Sequence, residues 1–176
     1  NGSSDANIYM VNLRHAYINF AWKNRSTLLL GQTDHLSLVR EVLSGTIAFG
    51  AGFPFNPLNR SIQVRYSKFI YDNIEFLAAA HMYSGHNSVG PAKAQSQSGI
   101  PDLQVQFKFG KPSSIFGGFT LGYRTLRPVI YDVNNIEVNN KASFYNVGAF
   151  FRAQITKDVL FRTWAIYGDN MTMLGQ

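Results

Sequence analysis

The sequence predicts an all-β chain, a transmembrane antiparallel up-and-down β-barrel. About eight strands are expected here as part of a wider barrel of roughly 16–18 strands. Three observations predict this: polarity alternates with a period of two, short and long connections alternate, and the basic residues fall on the polar faces of the strands.

The alternation is plain in several segments. In Ile62-Gln63-Val64-Arg65-Tyr66-Ser67 one face carries Ile62, Val64 and Tyr66, and the other carries Gln63, Arg65 and Ser67. Leu103 to Phe109 alternates without a fault, and Phe119, Leu121 and Tyr123 oppose Thr120, Gly122 and Arg124. Tyr145, Val147, Ala149, Phe151 and Ala153 oppose Asn146, Gly148, Arg152 and Gln154, with Phe144 and Phe150 as exceptions on the polar side. Successive strand side chains point to opposite faces, so each segment is a ribbon with one apolar side. The expected strands are 9–22, 26–33, 61–70, 74–84, 102–110, 117–126, 142–155 and 159–168. Most match the ~9–11 residues that cross a bilayer at a tilt. The first two alternate less cleanly, and Leu28-Leu29-Leu30 is apolar on both faces.

Tight turns are expected at Lys23-Asn24-Arg25, Tyr71-Asp72-Asn73, Gly110–Ser114 and Thr156-Lys157-Asp158. Between them lie long connections at 34–60, 85–101, 127–141 and after Gly168. Such a layout puts every long loop at one end, as in bacterial outer-membrane barrels. The 85–100 stretch, rich in Gly, Ser, Gln and Asn, reads as a polar, mobile surface loop. The 34–60 stretch is more apolar. Leu36, Val39 and Leu43 recur near helical spacing before Gly45, so a short helix competes here with irregular chain. A loop of this composition is expected to fold into the barrel or against a neighbouring subunit.

Which face points inward is decided by chemistry. A soluble barrel buries its apolar face; a membrane barrel inverts this. Large aromatics near strand ends (Trp22, Phe69, Phe107, Phe109, Tyr123, Tyr167) suit two membrane interfaces. The polar faces hold Gln63, Gln104, Gln106, Asn146 and Gln154 instead of interspersed Lys and Glu. Arg65, Lys108, Arg124, Arg152 and Arg162 all belong to those faces. Each arginine facing lipid at mid-bilayer would cost about 2–4 kcal/mol, so the polar faces are assigned to the lumen. The formal net charge of +6 then becomes a property of that lumen.

Composition narrows the alternatives. The 176 residues contain no cysteine, which removes disulfide frameworks and thiolate metal sites. Charged residues are 15%, low for a soluble surface. No window holds the ~20 consecutive apolar residues of a membrane helix, and no signal peptide is visible. The chain reads as part of a single outer-membrane barrel domain over 1–176, truncated at both ends. Outer-membrane barrels generally finish on a strand with a terminal aromatic, and here the last residue is Gln176. Five inward cations would also pack poorly in the filled interior of a closed eight-strand barrel.

Leu13-Arg14-His15-Ala16-Tyr17 followed by Leu30-Gly31-Gln32-Thr33 resembles the early hairpin of porins of the Bacteroidota, similar to DcaP-like trimeric porins. Asn56–Arg60 running into Ile62–Tyr66, and Pro101-Asp102-Leu103 opening a strand, carry the same likeness over most of the chain. The resemblance implies a homotrimer of wide barrels in the outer membrane of a Gram-negative bacterium, an inward-folded loop, and uptake of small, often anionic solutes. It departs at Asp34, where members usually carry an aromatic, and that leaves the wall near this loop and any substrate preference open.

The expected function is passive diffusion of small hydrophilic solutes through a basic, weakly anion-selective lumen, not catalysis. The candidate pore-lining residues are Arg65, Lys108, Arg124, Arg152, Arg162, Gln63, Gln104 and Gln106. Against an anion ladder stands the plainer reading that these cations pair with Glu75 or Asp102. Arg60 and Arg127 flank the loops and read as solvated charges near the mouth. His81 and His86 lack a third ligand at metal spacing, and Gly85–Gly90 lacks a nucleophile elbow. No catalytic residue, metal or cofactor is expected. Aromatics and cations alternate onto opposite faces, which argues against nucleic acid; the expected partners are lipid, lipopolysaccharide and polar solutes. Two other readings stay open: a soluble lipocalin-like ligand-binding barrel, and a structural barrel subunit of a larger outer-membrane assembly.

Overall fold

A computed structural model describes residues 14–43, 45, 59–83 and 93–169. They form one antiparallel, up-and-down sheet of eight strands, each hydrogen-bonded to its sequence neighbours. In chain order these are β1 Ala16–Ala21, β2 Ser26–Asp34, β3 Arg60–Tyr71, β4 Ile74–Met82, β5 Asp102–Gly110, β6 Ile115–Leu126, β7 Ala142–Gln154 and β8 Leu160–Gly168. Each expected strand has its counterpart, with ends shifted by at most two residues from β2 onward. Residues 9–13 of the first expected strand and the stretch after Asp169 lie outside the described residues. Among the described residues the sheet does not close, and β1 and β8 remain as edges.

The register follows the alternation. Val64 pairs with Ala80, Val105 with Leu121 and Leu121 with Val147, so apolar side chains stack across strands on one side. Phe107 anchors this outward side, its ring centroid 5.1 Å from those of both Phe76 and Phe119. Such cross-strand aromatic pairs are the unit of sheet stabilisation. A bulge between Phe69 and Tyr71 turns the end of β3. Phe69, before the bulge, departs from the expected apolar band: it has the parity of Gln63 and Arg65, and Arg25 stands over its ring at 5.0 Å. Arg25 adopts a left-handed φ of 62° in the first turn. Its guanidinium bonds Asp72 in the second turn at 2.5 Å, tying the two turns together.

Burial is inverted relative to a soluble sheet. The outward apolar residues are open, with Val64 51%, Leu121 43% and Val147 50% exposed, whereas Gln63, Gln104 and Gln106 are at most 4% exposed. What covers the polar side, among the described residues, is the chain just after β2. Residues 35–43 fold back across the inward face, the course expected for this loop, whereas residues 46–58, whose apolar composition prompted that expectation, lie outside the described residues. Leu36 packs with Leu77 and Ala79. Val39 and Val42 pack with Phe116 and Phe150, and Trp164 closes the cluster. Phe150, out of pattern in the sequence, is therefore the apolar landing point for this segment.

Among the described residues before Gly45 no α-helix forms. A 3-10 turn spans Arg40–Val42 instead. The Leu36 carbonyl, which a helix would pair with the Arg40 amide, instead accepts from Gln106 of the wall, and Val42 and Leu43 donate to carbonyls three residues back, those of Val39 and Arg40. The 85–101 connection also differs from expectation where it is described. α1, Ala94–Ser98, buries Ala94, Gln95 and Ser98, so this part is packed and not a mobile loop; residues 84–92 lie outside the described residues.

Gly118 shows how tightly the inward face is built. A Cβ there would sit 2.0 Å from the Phe107 carbonyl oxygen and 2.6 Å from the Phe150 ring. Gly118→Ala is expected to destabilise the fold by about 1–3 kcal/mol, as overpacking does. Urea unfolding followed by the gel shift between folded and heat-denatured protein checks it, with Gly45→Ala, where a Cβ meets open space, as the neutral control.

Candidate functional site

All eight candidate residues stand on the inward face, but most are engaged with the in-folded segment. β3 supplies Gln63, whose Nε2 donates to the Thr33 and Asp34 carbonyls at 3.1 and 3.0 Å. Two residues on, Arg65 donates through Nε to Gln63 Oε1 at 2.9 Å and through Nη2 to the Asp34 carbonyl at 2.6 Å. β5 supplies the next two. Gln104 Oε1 accepts from Ser37 Oγ at 3.3 Å, and Gln106 Nε2 donates to the Leu36 carbonyl at 3.1 Å and to Thr120 Oγ1 at 2.8 Å. Buried backbone carbonyls need donors, and the amides and guanidiniums of the wall provide them.

The charges divide into two groups. Lys108 lies 3.3 Å from Glu41 of the segment and 3.9 Å from Glu75 of β4. Arg124 Nε meets Asp102 Oδ2 at 2.5 Å, in a pair less than a tenth exposed. These two cations are balanced by carboxylates, two of which, Glu75 and Asp102, the sequence had offered as partners. Among the described residues Arg152 and Arg162 instead donate to carbonyls, those of Glu41 at 3.2 Å and Leu43 at 2.8 Å. They face each other directly in the β7–β8 register, and Arg152 Nε is buried with no hydrogen-bond partner. Like charges placed opposite each other are mutually destabilising, so this pair concentrates positive potential at the β8 side of the face. Comparison of the chain with protein-family models, with curated proteins and with solved structures finds no match in any of the three. The site is therefore read from its own geometry.

Arg60 and Arg127 are not the solvated charges the sequence suggested. Arg60 Nε is 3.6 Å from Asp34, which also bonds Arg40. Arg127 pairs with Glu137 at 3.0 Å and bonds the Val138 carbonyl within its own loop.

The structure adds contacts that the sequence did not foresee. Gln95 of α1 donates to the His81 carbonyl at 2.9 Å and to Asp102 Oδ1 at 3.0 Å, and accepts from the Tyr83 amide at 3.0 Å. His35, on the segment, stacks on His81 of β4 with ring centroids 4.3 Å apart. Their separation in sequence, across the 34–60 connection and the whole of β3, left no local signal for their stacking. Among the described residues no group of three His, Asp or Glu is placed to hold a metal ion.

Because Arg152 and Arg162 hold the end of the segment, Arg152→Met with Arg162→Met is expected to loosen it. Amide exchange at Val42 and Leu43 should rise several-fold while exchange in β5 and β6 is unchanged, as local opening predicts. Equal loosening of all strands would mean that the two arginines hold the sheet and not the segment.

Proposed function

We propose that this chain forms part of an outer-membrane β-barrel porin of a Gram-negative bacterium, a non-enzymatic channel for passive diffusion of small hydrophilic solutes with weak preference for anions. The observation that carries this reading is the inverted burial, with the apolar side of the sheet open and the polar, cationic side covered by the protein's own chain. A wet exterior gives no reason to expose Val64, Leu103, Leu121 and Val147 together, whereas lipid does. The soluble ligand-binding barrel would require the opposite arrangement. Lys68 stands outward near its turn, where a long side chain reaches an interface.

The open edges of β1 and β8 fit a wider barrel of roughly 16–18 strands, since unpaired strand edges are not tolerated in lipid. Homotrimeric assembly, a place in the outer membrane among lipid and lipopolysaccharide, and kinship with porins of the Bacteroidota belong to the same proposal and rest on the sequence resemblance. In this reading Arg152 and Arg162 supply the uncompensated charge that favours anions. The covering of the inward face by residues 35–43 favours a constricted lumen; in the extreme it suits a second reading, a structural barrel without an open pore.

One experiment separates these. Full-length protein extracted only by detergent and reconstituted in planar bilayers should give discrete conductance steps, with a reversal potential on the anion side in a salt gradient. Release without detergent supports the soluble barrel, silence in bilayers supports the structural subunit, and cation preference removes the role given to the arginines.

A further inference from the structure

We propose that residues 35–43 form a pH-sensitive strap, held against the sheet by the His35–His81 stack and released by acid. His35 lies on the strap and His81 on the wall, and their rings are 1% and 0% exposed. The hydrogen bonds define the neutral form of His35. Its Nδ1 accepts the Ser37 backbone N–H at 3.3 Å, which leaves the ring proton on Nε2, and Nε2 has no partner. A second proton would turn Nδ1 into a donor aimed at another donor, breaking the bond that shapes the start of the strap.

The surroundings offer a cation nothing. From β4 and its end come His81 and Tyr83, the latter stacked with His35 at 6.0 Å. From β3 and β6 come Arg65 and Arg124, both positive and both acting on His35. From β5 comes Asp102, whose carboxylate is already bound to Arg124 and Gln95. On the strap's own side Asp34 is bound by Arg40 and Arg60. Burial first, then His81, Arg124 and Arg65, holds the His35 imidazole well below its ordinary value of 6.5.

The sign follows from linkage. A docked strap needs neutral His35, whereas in a released strap the ring titrates near its ordinary value. Docking is therefore undiminished above about pH 6.5 and weakens tenfold per pH unit below it. The loss continues downward in pH for as long as the docked His35 ring stays neutral. Release would uncover Gln104, Gln106, Lys108, Arg152 and Arg162 together. The effect on conduction rests on the porin reading; the docking equilibrium does not.

The test therefore reads docking directly. The chain has no cysteine, so nitroxides can be placed at Gly45→Cys, where a side chain meets open space, and at Lys157→Cys in the β7–β8 turn. Interspin distances are measured in full-length protein in detergent, frozen from pH 7.5 and pH 4.5. The expected result is one distance at pH 7.5, a second population at pH 4.5, and its disappearance in His35→Phe with His81→Phe, which keeps two stacked rings without titrating nitrogens. A single distance at both pH values, or the same acid-induced population in the double variant, would overturn the proposal. His35→Phe alone serves if the double variant fails to fold, and should show a smaller acid-induced population than the parent. Conductance of the same proteins is recorded separately. A strap that moves in a protein that does not conduct sinks the pore, and a pore whose strap stays fixed sinks the switch.

Discussion

Asp102→Ala is expected to destabilise the protein by about 3–5 kcal/mol, a cost typical of removing one partner from a buried ion pair. Asp102 anchors three elements at once. It starts β5, receives Arg124 of β6 through Oδ2, and receives Gln95 of α1 through Oδ1. Without it the Arg124 guanidinium, 7% exposed, loses its carboxylate, and Gln95 loses one acceptor while still holding His81 and Tyr83. Asp102→Asn keeps the shape and one acceptor and should cost less, which separates loss of charge from loss of volume. Asp102→Leu combined with Arg124→Met should recover much of the stability, since an apolar pair of similar volume often matches a buried ion pair. Urea midpoints of the folded, gel-shifted form check the series. A double variant no better than Asp102→Ala would mean that Gln95, and not the charge pair, dominates.

The second large effect is directional. Leu121→Arg places a guanidinium at the middle of β6 on the outward face, and Val147→Arg does the same on its cross-strand partner in β7. If that face meets the middle of a bilayer, each should lower stability in lipid by about 2–4 kcal/mol. The same substitutions in a water-facing sheet would fall within about 0.5 kcal/mol. Thr120→Arg is no neutral control here, because Thr120 is buried under Gln106. Lys68→Arg, near the turn on the outward side, is the suitable one and should be nearly silent. Folding into liposomes, titrated with urea, provides the measurement.

The strands were legible because their information is local. Ile62–Ser67, Leu103–Phe109 and Tyr145–Ala153 state their own period, and the Lys23–Arg25 and Tyr71–Asn73 turns state where the chain reverses. The same locality explains the gaps. Phe69 read as outward on its aromatic character, although its parity with Gln63 and Arg65 already put it on the inward face. Phe150 read as an exception because its partners Val39 and Val42 arrive from a connection more than a hundred residues away. The helical spacing of Leu36, Val39 and Leu43 was real, but Gln106 of the wall took the Leu36 carbonyl and bonds three residues apart tightened the rest into a 3-10 turn. The polar composition around Ala94–Ser98 read as a solvated loop, although Gln95 and Ser98 turn their amide and hydroxyl to buried acceptors. The side assigned to the cations was readable; their use was not. Sequence placed Arg65, Lys108, Arg124, Arg152 and Arg162 on one face, and only the fold shows that Lys108, Arg152 and Arg162 grip a returning segment while Arg65 and Arg124 bond groups of the strands.

The account depends most on which side of the sheet meets lipid. Nitroxides placed one at a time at Phe119, Thr120, Leu121, Tyr123 and Arg124 of β6, in full-length protein reconstituted in bilayers, read this directly through collision with oxygen and with a water-soluble nickel chelate. The predicted result is high oxygen accessibility at 119, 121 and 123 with low values at 120 and 124. The reverse pattern, or a label at 121 relaxed by the chelate and not by oxygen, would contradict the membrane barrel.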